Sequence, residues 1–206
     1  MGLVEDTISA YEASAQDYMS KHSDINIIKN WADLFISKLR ENEGEYILDV
    51  GCANGRDLKY FSDNGFRVTG IDLVPEFLKA AKEAVPEAIV YNLDMRQVDD
   101  LVDYYDGIWS MASFLHIPRD EANKTMKAHN IVLKPKGVMF MSVMGGGRGD
   151  DPLPPSDKYG GFSKYFYSYG ENEFRDILTS SGFSIEDFVV EEKHKTFLNA
   201  LVKKTA

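Results

Sequence analysis

One stretch constrains this chain more than any other. The short apolar run Tyr46-Ile-Leu-Asp-Val50 breaks into Gly51-Cys-Ala-Asn-Gly55, and a helical pattern follows at once from Arg56 to Asn64, with Gly65 as its stop. Strand, glycine turn and helix together form the opening unit of a parallel sheet. The same alternation continues downstream. Phe66 to Ile71, Ala88 to Leu93, Tyr105 to Met111 and Gly137 to Met144 are apolar runs of strand length. Helical patterns fall between them, from Pro75 to about Val85 and from Arg119 to Leu133, with Pro75 suited to a first turn.

The two ends complete the pattern. Val4, Ile8, Tyr11, Ala15 and Tyr18 recur at helical spacing, and a second helix is predicted from Asp24, as N-cap, to Leu39. Glu171 to Ser181 is helical, and Phe183 to Glu192 and Thr196 to Lys203 close the chain as strands. The link around His194 is too short for a helical crossover, so these two must pair antiparallel as an edge hairpin. The predicted fold class is α/β: a doubly wound, mostly parallel seven-stranded sheet with an antiparallel C-terminal hairpin. The 206 residues fit a single domain, 1–206, with no internal repeat. Gly145 to Gly161 is rich in Gly, Pro and Asp and reads as one long loop.

Charge narrows the partners. A formal net charge of −10 gives no general attraction to a phosphate backbone, so nucleic acid is not expected. Cys52 is the lone cysteine, so no intramolecular disulfide forms, and it reads as a small packed residue. No signal-peptide pattern or membrane-spanning run is seen, and cytoplasmic is the plain reading. No metal-ligand spacing is present.

In doubly wound sheets ligands sit beyond the carboxyl ends of the strands. Asp49, Asp72 and Asp94 fall at such ends, and Gly51 and Gly55 bracket the first turn. Asp72 follows the loop by about twenty residues, the spacing at which a carboxylate meets a ribose diol. The loop lacks the G-x-G-x-x-G spacing of a dinucleotide site. Asp49 also stands two places before the first glycine, where it would repel a pyrophosphate and favour an ammonium group. Taken singly, Asp49 and Asp72 suit helix caps, Asp94 suits a turn and Met95 suits a core.

Together these segments resemble class I S-adenosylmethionine-dependent methyltransferases of the small-molecule type. ILDVGCANGRDLKYF resembles the first motif, with Ala53 where the family usually has glycine; VTGIDLVPEFLKAAK resembles the second, YNLDMRQV the third, YYDGIWSMASFLHIPRD the fourth and LKPKGVMFMSV the fifth. The resemblance implies the Rossmann-like methyltransferase fold and S-adenosyl-L-methionine as cofactor. It implies cofactor contacts from Tyr11, Tyr18, Asp49, Gly51, Cys52, Ala53, Gly55, Arg56, Asp72, Leu73, Asp94, Met95 and Ser110. Asp72 would hold the ribose, Asp94 the adenine amino group, and Met95 would pack on the ring. YEASAQDY resembles the family's N-terminal lid, placed at 1–42. The region 145–170 would form the substrate side, with Lys164, Tyr165 and Tyr167 as substrate contacts beside His116.

The implied activity is methyl transfer by in-line displacement to an O or N atom of a small molecule. His116 is the one titratable candidate after the fourth strand. Two roles stand open for it, catalytic base or orienting contact. His22, His129 and His194 fall on surface segments. Methylation of protein or RNA, and cofactor binding without turnover, are the competing readings. The Asn/Asp-Pro-Pro-aromatic motif of amino-methylating nucleic-acid enzymes is absent; Ser110-Met-Ala-Ser stands there. Oligomeric state and acceptor identity have no signal in the sequence.

Overall fold

The computed structural model describes residues 3–146, 149–192 and 194–205. Among them nine strands build one sheet: β1 (Tyr46–Val50), β2 (Arg67–Asp72), β3 (Ile89–Asn92), β4 (Tyr105–Met111), β5 (Leu133–Met144), β6 (Gly149–Leu153), β7 (Lys164–Ser168), β8 (Phe183–Glu192) and β9 (Thr196–Lys204). β1 lies between β2 and β4, with β3 outside β2 and β5 beyond β4, all parallel. β9 pairs antiparallel with β5, and β8 pairs with β9. The predicted terminal hairpin is therefore present, and its last strand inserts between β5 and β8.

These seven strands match the expected sheet, and two more were not foreseen. β6 and β7 pair as an antiparallel hairpin inside the segment expected to be a loop. The hairpin touches the main sheet through a single pairing, Met144 with Ser168, at the carboxyl end of β5. Glycine and proline in the sequence argued against strands here. β6 tolerates proline because it is an edge strand. Residues 147 and 148 of the expected 145–170 loop lie outside the described residues.

Helices cover both faces. Ile47, Trp109 and Phe140 point to one side. There they pack with Phe35 and Leu39 of α3 (Lys29–Glu41), Leu58 and Phe61 of α4 (Arg56–Asp63), and Ala81 of α5 (Pro75–Ala84). Leu48 and Val50 point to the other, with Met126 of α6 (Arg119–Val132) and Phe174 and Leu178 of α7 (Glu171–Ser180). All five side chains of β1 are buried, as the central strand of a doubly covered sheet requires.

The N-terminal region is more broken than its periodicity predicts. It holds α1 (Leu3–Ala13), α2 (Ala15–Lys21) and a 3₁₀ turn, Ile25–Ile27, before α3. Asp24 caps that 3₁₀ turn, accepting from the Asn26 amide at 2.9 Å, and does not cap α3. α1 and α2 cross the carboxyl ends of the strands. One tie to the extra hairpin is the Tyr165 amide, which donates to Thr7 Oγ1 at 3.0 Å. His129 is a further correction. It is fully buried in α6, where Nδ1 is bonded to the Thr125 carbonyl at 2.7 Å.

Candidate functional site

The site grows from the β1–α4 turn. The amides of Gly51 and Cys52 both donate to the Ile71 carbonyl, at 2.9 and 3.0 Å, which ties the turn to the end of β2. Gly51 has φ +77° and would press a Cβ to 2.4 Å from the Ser113 Cβ. Gly55 has φ +76° and would press one to 2.7 Å from the Ala81 Cα. Both glycines are thus demanded by packing and by left-handed backbone. Ala53 also adopts positive φ, +45°, and the family's glycine at that position would do so without strain.

Asp72 is held by the backbone around it. Its Oδ2 accepts from the Ala53 amide at 3.0 Å, and its Oδ1 accepts from the Leu73 and Val74 amides at 2.8 and 3.0 Å. Burial pushes its carboxyl above the usual range, and the three amides oppose that. The N-cap of α5 is Val74, so Asp72 is not serving as that cap. A carboxylate oxygen accepts two bonds, so Oδ2 keeps a lone pair for a ligand hydroxyl.

Asp49 lies beneath the turn, 2% exposed, and among the described residues its Oδ2 has no hydrogen-bond partner. Burial raises its pKa well above the carboxylate range; Asp57 adds to the rise, and Arg56 opposes it. Asp57 cannot relieve it, being tied to Arg56 at 2.6 Å and accepting from Trp109 Nε1 at 2.9 Å. A buried acceptor left in this way asks for a donor, and a cation would satisfy it best.

A cleft opens above these groups. Tyr11, Tyr18, Gly51, Ala53, Asp72, Leu73, Asp94 and Met95, expected as cofactor contacts, all line it, and so does His116. Asp94 is more committed than expected. It caps a 3₁₀ turn through the Arg96 amide at 2.9 Å and also accepts from the Arg96 guanidinium at 2.6 Å. Asp49, Cys52, Gly55, Arg56 and Ser110 do not line this cleft; Asp49 lies buried below its Gly51 wall. Cys52 is buried against Gly70, and its thiol is pushed up by that burial. Ser110 is buried in β4 and bonded to Ser113 Oγ at 2.9 Å. Arg56 lines a second cavity.

His116 joins three elements. Its Nδ1 lies 2.7 Å from the Tyr165 carbonyl, which can only accept, so Nδ1 carries the proton. Nε2 then accepts from the Tyr11 hydroxyl at 3.0 Å. Burial holds the imidazole neutral, with its pKa pushed down to about 4. Burial likewise raises the Tyr11 phenol well above its usual value.

The second cavity lies between α2, the extra hairpin and the last strands. Tyr11 and Tyr18 separate it from the first, lining both. Lys164 lines it. Tyr165 meets His116 only through its backbone. Tyr167 is a correction: it is buried in the core beside Leu198 and Phe174, away from both cavities. Phe166 lines the second cavity instead, its ring 4.9 Å from that of His116. Period-two alternation from Lys164 would have found it, had the segment been read as a strand. Ser113 was missed too, and no spacing in the sequence marks it.

A family model for a methyltransferase domain matches residues 47–137, the stretch that supplies this turn and the three acids. Over this stretch the chain is similar to S-adenosylmethionine-dependent methyltransferases. Its curated relatives include the ubiquinone biosynthesis O-methyltransferase of Xylella fastidiosa (strain M23), 33% identical over 115 residues, covering 53% of this chain and 46% of that protein. The protein of the same name from Xanthomonas axonopodis pv. citri is 30% identical over 115 residues, covering 53% and 47%. The chain spans about half the length of these relatives. Among solved structures, the Burkholderia thailandensis 1,6-didemethyltoxoflavin-N1-methyltransferase superposes with a TM-score of 0.76 at 19% identity, over 98% of this chain and 88% of that one. A methyltransferase from Clostridium acetobutylicum superposes with a TM-score of 0.74 at 18% identity, over 93% and 99%. At these identities the structural likeness speaks for the shared Rossmann-like methyltransferase fold.

Proposed function

We propose that this chain binds S-adenosylmethionine in the cleft beyond β1 and β2 and transfers its methyl group to an O or N atom of a small molecule. The observation that carries the reading is the orphaned Oδ2 of Asp49, a buried acceptor at the turn where a methionine ammonium fits. When bound, the cofactor supplies an electrophilic sulfonium methyl, transferred by in-line displacement. The chain's own groups position it. Asp49 takes the ammonium, Asp72 accepts from the ribose through Oδ2, and Leu73, Asp94 and Met95 border the adenine.

Tyr11, Tyr18 and α1 close the cleft as the lid, and the 145–170 region borders the acceptor side. His116 acts as an orienting contact. Both its ring nitrogens are engaged and its basicity is low, so it is poorly suited to remove a proton. Small-molecule acceptors are favoured by the cover that α1 and α2 place over the strand ends. Binding to nucleic acid is not part of the reading, given the net charge of −10. No described helix is long and apolar enough to cross a membrane, and the proposed location is the cytoplasm. Calorimetry of the purified chain with S-adenosylmethionine and S-adenosylhomocysteine tests the proposal. Micromolar binding of both is expected, and no binding at millimolar ligand overturns it.

A further inference from the structure

The sequence leaves the acceptor unnamed, and the second cavity narrows its chemistry. This cavity measures about 580 Å³, against about 120 Å³ for the lid-covered cleft that shares Tyr11 and Tyr18 with it. Its sign is opposite to that of the protein. Among the described residues Lys21, Arg56, Lys158, Lys164 and Lys195 line it, with two carboxylates, Asp17 and Glu191. With Arg56 neutralised by Asp57, four lysines against two carboxylates leave a local excess of two positive charges, in a chain of net charge −10. Asp17 is already occupied by Lys21 at 2.6 Å and Lys158 at 3.3 Å. Arg56 is spoken for by Asp57 at 2.6 Å.

Lys164 is the unusual member. It is 6% exposed, and among the described residues no carboxylate pairs with it. Its ammonium donates to Ser14 Oγ at 3.1 Å and lies 3.6 Å from the Tyr11 ring centroid and 4.5 Å from that of Tyr159. Ring faces and one hydroxyl replace water only in part, because an ammonium has three donors. Burial, with Lys158 nearby, pushes its pKa down to about 8, and Asp17 opposes this only in part; a bound anion would act in the same direction as Asp17. Trp31, Met144, Phe166 and Phe197 also line the cavity, apolar and largely aromatic.

Resting on the methyltransferase reading, we propose that the acceptor carries an oxyanion, a carboxylate or a phosphonate on a flat apolar body, and that Lys164 binds that charge. The anion meets the Lys164 ammonium on the side turned away from the two tyrosine rings, and the apolar body lies against Phe166 and Trp31. Tyr11 then touches both ligands: its ring carries Lys164, and its hydroxyl holds His116 in the cofactor cleft. This gives Lys164 a role in acceptor choice and none in cofactor binding.

The test uses the full chain loaded with S-adenosylhomocysteine, titrated calorimetrically with benzoate, phenylphosphonate and benzamide. Lys164→Met is compared with the wild type because it keeps the stem and removes the charge. That exchange is expected to leave stability equal or higher, since it removes a buried unpaired charge. Benzoate or phenylphosphonate should bind the wild type and benzamide should not, and the better of the two anions identifies the head group. Lys164→Met should lose about tenfold or more of that affinity, with S-adenosylhomocysteine affinity unchanged. Equal binding of benzamide and benzoate overturns the proposal. So does equal benzoate affinity in Lys164→Met, or failure of both anions to bind wild type that takes up S-adenosylhomocysteine. Failure of S-adenosylhomocysteine itself to bind refutes the methyltransferase reading instead, so the two failures are told apart.

Discussion

Replacing Asp49 by Asn should move stability and cofactor affinity in opposite directions. The carboxylate is 2% exposed, its Oδ2 is orphaned, and Asp57 stands nearby with the same charge. A buried charged group without a partner costs on the order of 1–3 kcal/mol, and Asn keeps its shape without the charge. The unliganded variant should therefore be more stable at pH 8 by about 1 kcal/mol or more, which for a chain of this size raises Tm by about 2–4 °C per kcal/mol. The gain should depend on pH. The folded-state pKa of Asp49 is raised, so its contribution is fully present below the unfolded value, near pH 4, and is lost as pH rises through the folded value. Variant and wild type should thus melt together near pH 4 and diverge on the alkaline side.

Cofactor binding should respond the other way. A hydrogen bond to a charged partner contributes about 1.5–3 kcal/mol, so the variant should lose about tenfold to 150-fold in affinity. In the wild type, affinity should rise with pH as Asp49 ionises, and in the variant it should be flat. Calorimetry from pH 5 to 8, with thermal melts of the unliganded proteins, reads all of this. A variant that binds the cofactor like the wild type, or melts lower at pH 8, refutes the assignment of Asp49.

Asp72→Ala should weaken S-adenosylmethionine binding at least about tenfold by calorimetry, and it should also destabilise the fold, because the Ala53, Leu73 and Val74 amides lose their acceptor. Asp72→Asn should recover part of the melting temperature and less of the affinity. Gly55→Ala combines positive φ with a Cβ 2.7 Å from the Ala81 backbone, so denaturant titration should show a loss of about 2–4 kcal/mol. If His116 orients and does not take a proton, kcat should show no histidine limb between pH 5 and 8, because its pKa lies at about 4. A limb near pH 6.5 that disappears in His116→Gln would restore it as a base.

The boundaries of β4 and β8 were legible to the residue because each is an unbroken apolar or alternating run between clear turn signals. The extra hairpin was not. Its strands are short, one carries proline, and its pairing reaches only one residue of the main sheet. Asp24 was placed as the cap of the long helix because its position before an apolar pattern fits any helix start. The 3₁₀ turn that it caps is decided by packing. Gly51 and Gly55 were located correctly, and their positive φ was legible in the turn, but the close approach of Ser113 and Ala81 was not, because those residues are distant in sequence.

The sequence by itself determined the alternation of strands and helices, the glycine turn, and the placing of Asp49, Asp72 and Asp94 at strand ends. These are properties of local period and spacing, and backbone geometry enforces them wherever the chain folds. Only the tertiary structure decided that among the described residues Asp49 Oδ2 is left without a hydrogen-bond partner, that Tyr11 holds His116, and that Lys164 is buried with no carboxylate in contact. Each of those depends on groups brought together over tens to more than a hundred residues, as with Ser14 and Lys164. Desolvation and pairing, the two forces that set their chemistry, exist only after the chain has closed around them.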